Sequence, residues 1–199
     1  MDLRLADRTA LLSGASVGIG RAIAGALAAE GVRLALVARR TDLIEALSAE
    51  IVAGGGSAPV PIIQDLMAPE AARTISAKAL AALGRVEILV NCAGGSRLLP
   101  VDAPDAAWEE AMTLNFTRHR ELTHRLLPQM ISARWGRIIS ITGKSEPDRL
   151  NAAFAAKAAM HAWAKGLSRE VGPHNITVNS IAPGRIMSEQ IRLNYPPEE

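Results

Sequence analysis

Lys157 and the glycine-rich segment Ser13–Gly20 are the first residues of this sequence to suggest a chemistry. Lys157 stands in NAAFAAKAAM, residues 151–160, and between Ala152 and Ala164 only His161 can share its charge. An ammonium set among alanines must find a polar partner or give up its proton more readily. A lysine of the second kind is a usable proton donor, whereas one that snorkels to the surface is not. SGASVGIG, residues 13–20, follows one apolar run and leads into a helical one. Gly14, Gly18 and Gly20 permit a tight turn and a close backbone approach, with Ser16 and Ile19 in the same loop. A helix opening there offers unpaired N–H groups and a positive dipole end, which suits a pyrophosphate. An ordinary tight turn is the alternative; the strand–loop–helix setting favours the dinucleotide.

The elements that must position these residues follow from the pattern of apolar runs. Strands are expected at Thr9–Ser13, Arg33–Ala38, Ser57–Ile63, Val86–Val90, Arg137–Thr142 and Ile176–Ile181. Helices are expected at Arg21–Glu30, Leu43–Ala53, Ala68–Leu83, Asp105–Ala133 and Arg149–Val171. Pro59 and Pro61 cannot donate ladder hydrogen bonds, so the third strand belongs at a sheet edge. Strict strand–helix alternation, with strands that do not alternate apolar and polar, gives an α/β fold. Right-handed crossovers make it a doubly wound parallel sheet with helices on both faces, a Rossmann fold in one domain over 1–199.

Composition closes off several functions. The 22 basic and 20 acidic residues leave a net charge of +2 with no basic stripe, so no nucleic-acid partner is expected. One cysteine, Cys92, excludes an internal disulfide and fits a reducing compartment. The N-terminus lacks the apolar block of a signal peptide, and no run approaches a membrane span, so a cytoplasmic location without membrane contact is expected. Nothing in the sequence groups metal ligands.

Further motifs then appear in order: Asn91-Cys92-Ala93-Gly94 after the fourth strand, Asn115 in LNF, GRII at 136–139, and NSIAPG at 179–184. With the glycine loop, these make the chain from Leu5 to Ser188 resemble the short-chain dehydrogenase/reductase family, in the form that includes 3-oxoacyl-carrier-protein reductases. The resemblance implies a nicotinamide cofactor held by Gly14, Ser16, Gly18, Ile19 and Gly20 at the pyrophosphate. Asp65 and Leu66 would lie at the adenine, although Asp65 also reads as a plain helix N-cap. Lys157 would hold the nicotinamide ribose and Ser188 the carboxamide, with Asn91, Ala93, Gly94, Pro183, Gly184 and Ile186 also at the cofactor. An NAD-preferring site ends its second strand in a carboxylate; here Ala38 is followed by Arg39 and Arg40, whose planar forks suit a 2′-phosphate. NADP(H) is therefore favoured over NAD(H), the alternative being that both arginines are solvated surface charge.

The same resemblance implies four catalytic positions, and two are filled: Lys157 as the lysine and Asn115 as the helix asparagine. Ala153 stands where a tyrosine would transfer the proton, and Gly143 where a serine would polarise the carbonyl. Tyr195, the sole tyrosine, is in the terminal tail. Phe154 lacks a hydroxyl and points about 100° away from Ala153 around the helix. His161 shares the Lys157 stripe but sits a turn farther along. Thr142, Lys144 and Ser145 flank Gly143, and a site centred on Lys157 and Ser145, supported by Asn115, is the leading arrangement. The expected function is an oxidoreductase on a carbonyl/alcohol pair, a 3-oxoacyl or similar ketone, with a non-standard proton donor. A cofactor-binding scaffold without reductase chemistry is the other reading. Relatives continue past Gly184 through a substrate loop, a strand and a helix, so the fold is expected to lack its final strand and helix. Small residues on the helices at 105–133 and 149–171 suggest a homodimer or homotetramer.

Overall fold

Leucine-, isoleucine- and valine-rich runs without alternation become strands covered on both faces. A computed structural model describes residues 3–143, 149–184 and 186. Its elements run β1 (Thr9–Ser13), α1 (Gly18–Ala29), β2 (Arg33–Ala38), α2 (Thr41–Ala53), β3 (Val60–Ile63), α3 (Ala71–Leu83) and β4 (Ile88–Asn91). They continue as α4 (Asp105–Met112), a π-helical turn (Thr113–Thr117), α5 (Arg118–Ala133), β5 (Gly136–Ile141), α6 (Ala152–Val171), a 3₁₀ turn (Gly172–His174) and β6 (Ile176–Ile181). The sheet is parallel throughout, in the order β3-β2-β1-β4-β5-β6. The order reverses between β1 and β4, and a crevice opens there at the strands' carboxyl ends.

Ala24, Ala28, Ile44, Leu47 and Ile51 of α1 and α2 pack one face of the sheet. Ile75, Ala79, Leu122, Leu126, Met130 and Ala164 of α3, α5 and α6 pack the other. Side chains as completely buried as Leu36, Ile75 and Leu122 stabilise by about 1.5–3 kcal/mol each. Along β5, and over Ile176–Asn179 of β6, every second residue is buried and its neighbour half-buried or exposed. Among the described residues no helix covers that side of the two strands.

Several boundaries differ from the sequence expectation. Pro59 falls outside β3, which begins at Val60, while Pro61 pairs with Leu36 in the edge strand as expected. The helix at 105–133 is not uniform: a π-helical turn interrupts it at Thr113–Thr117. The last helix starts at Ala152 rather than Arg149, because the Asn151 side chain caps it by accepting from Ala153 N at 3.0 Å.

Candidate active site

A cleft of about 490 Å³ runs along the carboxyl ends of β1, β2 and β4. Its first wall is the glycine loop. Val37 O accepts from Gly14 N (2.9 Å) and Ala15 N (3.2 Å), turning the chain as β1 ends. Gly14 has φ +73°, and a Cβ on it would lie 2.7 Å from Ala93 Cα. A Cβ on Gly20 would lie 2.1 Å from the Gly14 carbonyl oxygen, so α1 packs closer to the loop than any side chain allows. Val17 at the N-cap provides no side-chain hydrogen bond, leaving the first-turn N–H groups of α1 to face the cleft. Ser16, Gly18 and Ile19 line it beside Gly14 and Gly20. This cradle, which a Cβ would fill, fits a pyrophosphate.

The second wall is the end of β2. Ala38, Arg39 and Arg40 line the cleft together with Asp65 and Leu66. Arg39 Nη1 stands 3.9 Å from Asp65 Oδ2, both groups being well exposed, so the pair adds little stability. Asp65 does not cap α3, which starts six residues later. Its Oδ1 instead accepts from Met67 N at 2.9 Å, in a turn of its own. Arg118 Nε donates to Leu66 O at 2.8 Å and pins that turn to α5.

The third region holds the lysine. Lys157 Nζ donates to Thr142 O at 3.3 Å. Burial pushes its ammonium below the ordinary lysine range, with the neighbouring Cys92 acting weakly the other way. Burial also pushes the Cys92 thiol up to about 11, so it is protonated at neutral pH. A Cβ on Gly94 would come 2.8 Å from Asn115 Oδ1 and 4.0 Å from Lys157 Cε, which places asparagine, glycine and lysine in one packed group. The Asn115 amide is fully engaged: it accepts from Gly95 N (3.1 Å) and donates to Gly95 O (3.3 Å) and Ala111 O (2.9 Å). It therefore holds the β4–α4 loop rather than lining the cleft. The π-helical turn offsets the face of Asn115 from that of α4, a device often found at functional sites.

Asn91, Ala93 and Gly94 separate. The latter two line the cleft, whereas Asn91 is buried beneath it and donates to Ser140 Oγ (3.4 Å) and Thr123 Oγ1 (3.5 Å). Pro183 reaches the cleft; Gly184 and Ile186 are exposed and lie outside its lining. Ser145, with Lys144, and Ser188, with Tyr195, fall outside the described residues. His161 lies away from the cleft, in a groove between α6 and β6. Phe154, a step around the helix from Ala153, brings its ring against Gly143.

Three contributors had no clear signal in the sequence, and a fourth, Ser13, had one only as the first residue of the glycine-rich segment. Ser13 Oγ accepts from Cys92 N (3.1 Å) and Ala93 N (3.3 Å), joining β1 to the turn after β4. Arg97 and Glu110 form an ion pair of 2.8 Å at the cleft rim. His119 is fully buried, its Nε2 2.7 Å from Ala93 O, which fixes that nitrogen as the donor. Burial holds its pKa down to about 4, and Nδ1 finds no partner among the described residues. Its position four residues after Asn115 was the one available hint.

The family model for short chain dehydrogenase matches residues 8–195. A short chain dehydrogenase of Pseudocercospora fijiensis (strain CIRAD86) is 35% identical over 192 residues, covering 94% of this chain and 62% of its own. A crystal structure of a proposed NAD(P)-dependent gluconate 5-dehydrogenase from Beutenbergia cavernae, with NADP bound at low occupancy, superposes with a TM-score of 0.90 at 31% identity, over 97% of this chain and 78% of that one. A 7α-hydroxysteroid dehydrogenase complexed with NADH and 7-oxo glycochenodeoxycholic acid superposes with a TM-score of 0.93 at 30% identity, over 98% and 78%. The chain thus spans somewhat under two thirds of the first relative and about four fifths of each of the two structures.

Proposed function

Because the chain belongs to the short-chain dehydrogenase family, we propose that it is an NADP(H)-dependent oxidoreductase acting on a carbonyl/alcohol pair, a 3-oxoacyl or similar ketone, with Lys157 as proton donor. One observation carries this reading: the Lys157 ammonium is held at the cleft by the Thr142 carbonyl, and burial lowers its pKa there. No phenol stands at position 153, where the buried residue is Ala153.

A nicotinamide bound in the cleft supplies or accepts the hydride at the substrate carbon. This chain's own residues do the rest. The N–H groups at the start of α1 bind the pyrophosphate. Arg39 and Arg40 bind the 2′-phosphate, and the absence of a carboxylate at Ala38 leaves room for its charge. In the reductive direction Lys157 passes a proton from Nζ to the carbonyl oxygen, and the neutral amine that remains suits a buried site. Solvent entering the cleft returns the proton. Asn115 and Ser13 keep the β4–α4 loop in place while this happens. The small-residue faces of α4, α5 and α6 support association into a homodimer or homotetramer, which light scattering reads directly.

The test is turnover of a panel of ketones and 3-oxoacyl thioesters with NADPH and with NADH, beside Lys157→Ala. NADPH is expected to bind more tightly, and Lys157→Ala to lose ~10²–10⁴-fold in rate. Rates unaffected by Lys157→Ala would remove the lysine from the proton step. Clear NADPH binding without any turnover would establish the non-catalytic scaffold instead.

A further inference from the structure

Nothing in the backbone explains why residue 143 is a glycine. Its φ is not left-handed, unlike those of Gly14, Gly18 and Gly84, so any residue has a permitted conformation there. Space is what a side chain there would have to contest. A Cβ on Gly143 would lie 3.0 Å from Phe154 Cε1, 3.3 Å from Phe154 Cδ1 and 3.5 Å from Lys157 Cδ. The ring edge and the lysine stem thus converge on one point above Gly143. They come from positions three apart on α6, which project from the same side of a helix. Farther along the same stem, Lys157 Cε is 4.0 Å from the point a Cβ on Gly94 would occupy, and Nζ reaches Thr142 O.

We propose that Phe154 is the positioning residue of Lys157: its ring fills the space a side chain at position 143 would take, and it clamps the lysine stem against Gly143 and Gly94 so that the ammonium stays at Thr142 O and out of water. Gly143 and Phe154 are then one device, and a serine at 143 competes with the ring for the same volume. Among the described residues, the titratable groups facing the ammonium are Cys92, just after β4, and His119 on α5. Both are neutral at pH 7, so the ring's effect on Lys157 acts through water exclusion rather than through an opposing charge.

This deepens the reading of Lys157 as proton donor, but its test observes the amine itself and needs no turnover, so either can fail alone. Competitive acetylation of the full chain with trace acetic anhydride across pH, with the Lys157 peptide read by mass spectrometry, gives the titration midpoint of that amine. Phe154→Ala should raise the midpoint by at least half a pH unit, a roughly threefold change in the neutral fraction. Phe154→Leu, which keeps apolar bulk, should restore most of the wild-type value. Gly143→Ser should shift the midpoint in the wild-type background and have no further effect once Phe154 is alanine. A folded Phe154→Ala chain with an unmoved midpoint would overturn the proposal. So would a Gly143→Ser shift of equal size in both backgrounds. If Phe154→Ala does not fold, Gly143→Ser in the wild-type chain decides alone: an unmoved midpoint there overturns the proposal as well.

Discussion

His119 makes the acid stability of this protein a measurable consequence of one buried ring. The imidazole is wholly buried and donates to Ala93 O, and burial moves its pKa from the ordinary 6.5 to about 4. Between those two values the unfolded chain binds a proton at this site that the folded chain refuses. Stability therefore rises with pH through the window and is lost as pH falls from 6.5 toward 4. Two and a half pH units at 1.36 kcal/mol each bound the loss at roughly 3 kcal/mol. Glu87 does not confuse the result. Burial alone would raise its pKa, but hydrogen bonds from Arg8 and Thr9 N and the nearby Arg85 bring it below 4.5. Its stabilising share is present above 4.5 and fades only below that value. Urea unfolding at pH 6.5, 5.5, 5.0 and 4.5, for the wild type and for His119→Gln, isolates the term. The glutamine retains a donor for Ala93 O but does not titrate, so its curve should be flatter by about 2 kcal/mol between pH 6.5 and 4.5. Parallel curves for the two proteins would refute the argument, as would a His119 ring proton titrating near 6.5 by NMR.

Three other substitutions test the remaining walls of the cleft. Ala38→Asp puts a carboxylate beside the proposed 2′-phosphate site and should shift the NADPH/NADH affinity ratio toward NADH by roughly tenfold or more; an unchanged ratio in fluorescence titrations would dismiss the arginine reading. Gly94→Ala drives a methyl to 2.8 Å from Asn115 Oδ1. Losing one of that amide's hydrogen bonds, at roughly 1–1.5 kcal/mol, should weaken NADPH binding about tenfold by titration, and wild-type affinity would show that the loop adapts freely. Asn151→Ala removes the α6 cap together with the bonds to Arg97 N (3.2 Å) and Ser96 Oγ (2.7 Å). Urea unfolding should register a loss of about 2–3 kcal/mol, and less than 1 kcal/mol would mean that water replaces these bonds.

What could be read in the sequence was local. The glycine loop, the six apolar runs and the edge prolines each announce their structure within about ten residues, and from them came the parallel sheet and the cleft at β1 and β4. The residues that escaped are those whose roles depend on distant neighbours. His119 sits in RHRE, residues 118–121, which reads as a solvated charged face, yet it lies under the turn after β4. The π-helical turn at Thr113–Thr117 changes which way Asn115 faces without changing the helical character of the sequence. Phe154 was placed by the helical wheel relative to Ala153, but what decides its role is Gly143, on a different element.

That last point bears on how the two absent hydroxyls relate to each other. A serine at 143 would compete with Phe154, whereas Ala153 is buried and leaves its neighbour's ring free to settle over Gly143. With the ring in that place, water is kept from the stem of Lys157. Drier surroundings disfavour the ammonium and so strengthen the lysine as an acid. On the proposal that Lys157 is the proton donor, Gly143 and Ala153 thus favour the group that would take over from the missing phenol. Gly143→Ser and Ala153→Tyr together would displace the ring, readmit water and raise the lysine's pKa even as they supplied a phenol.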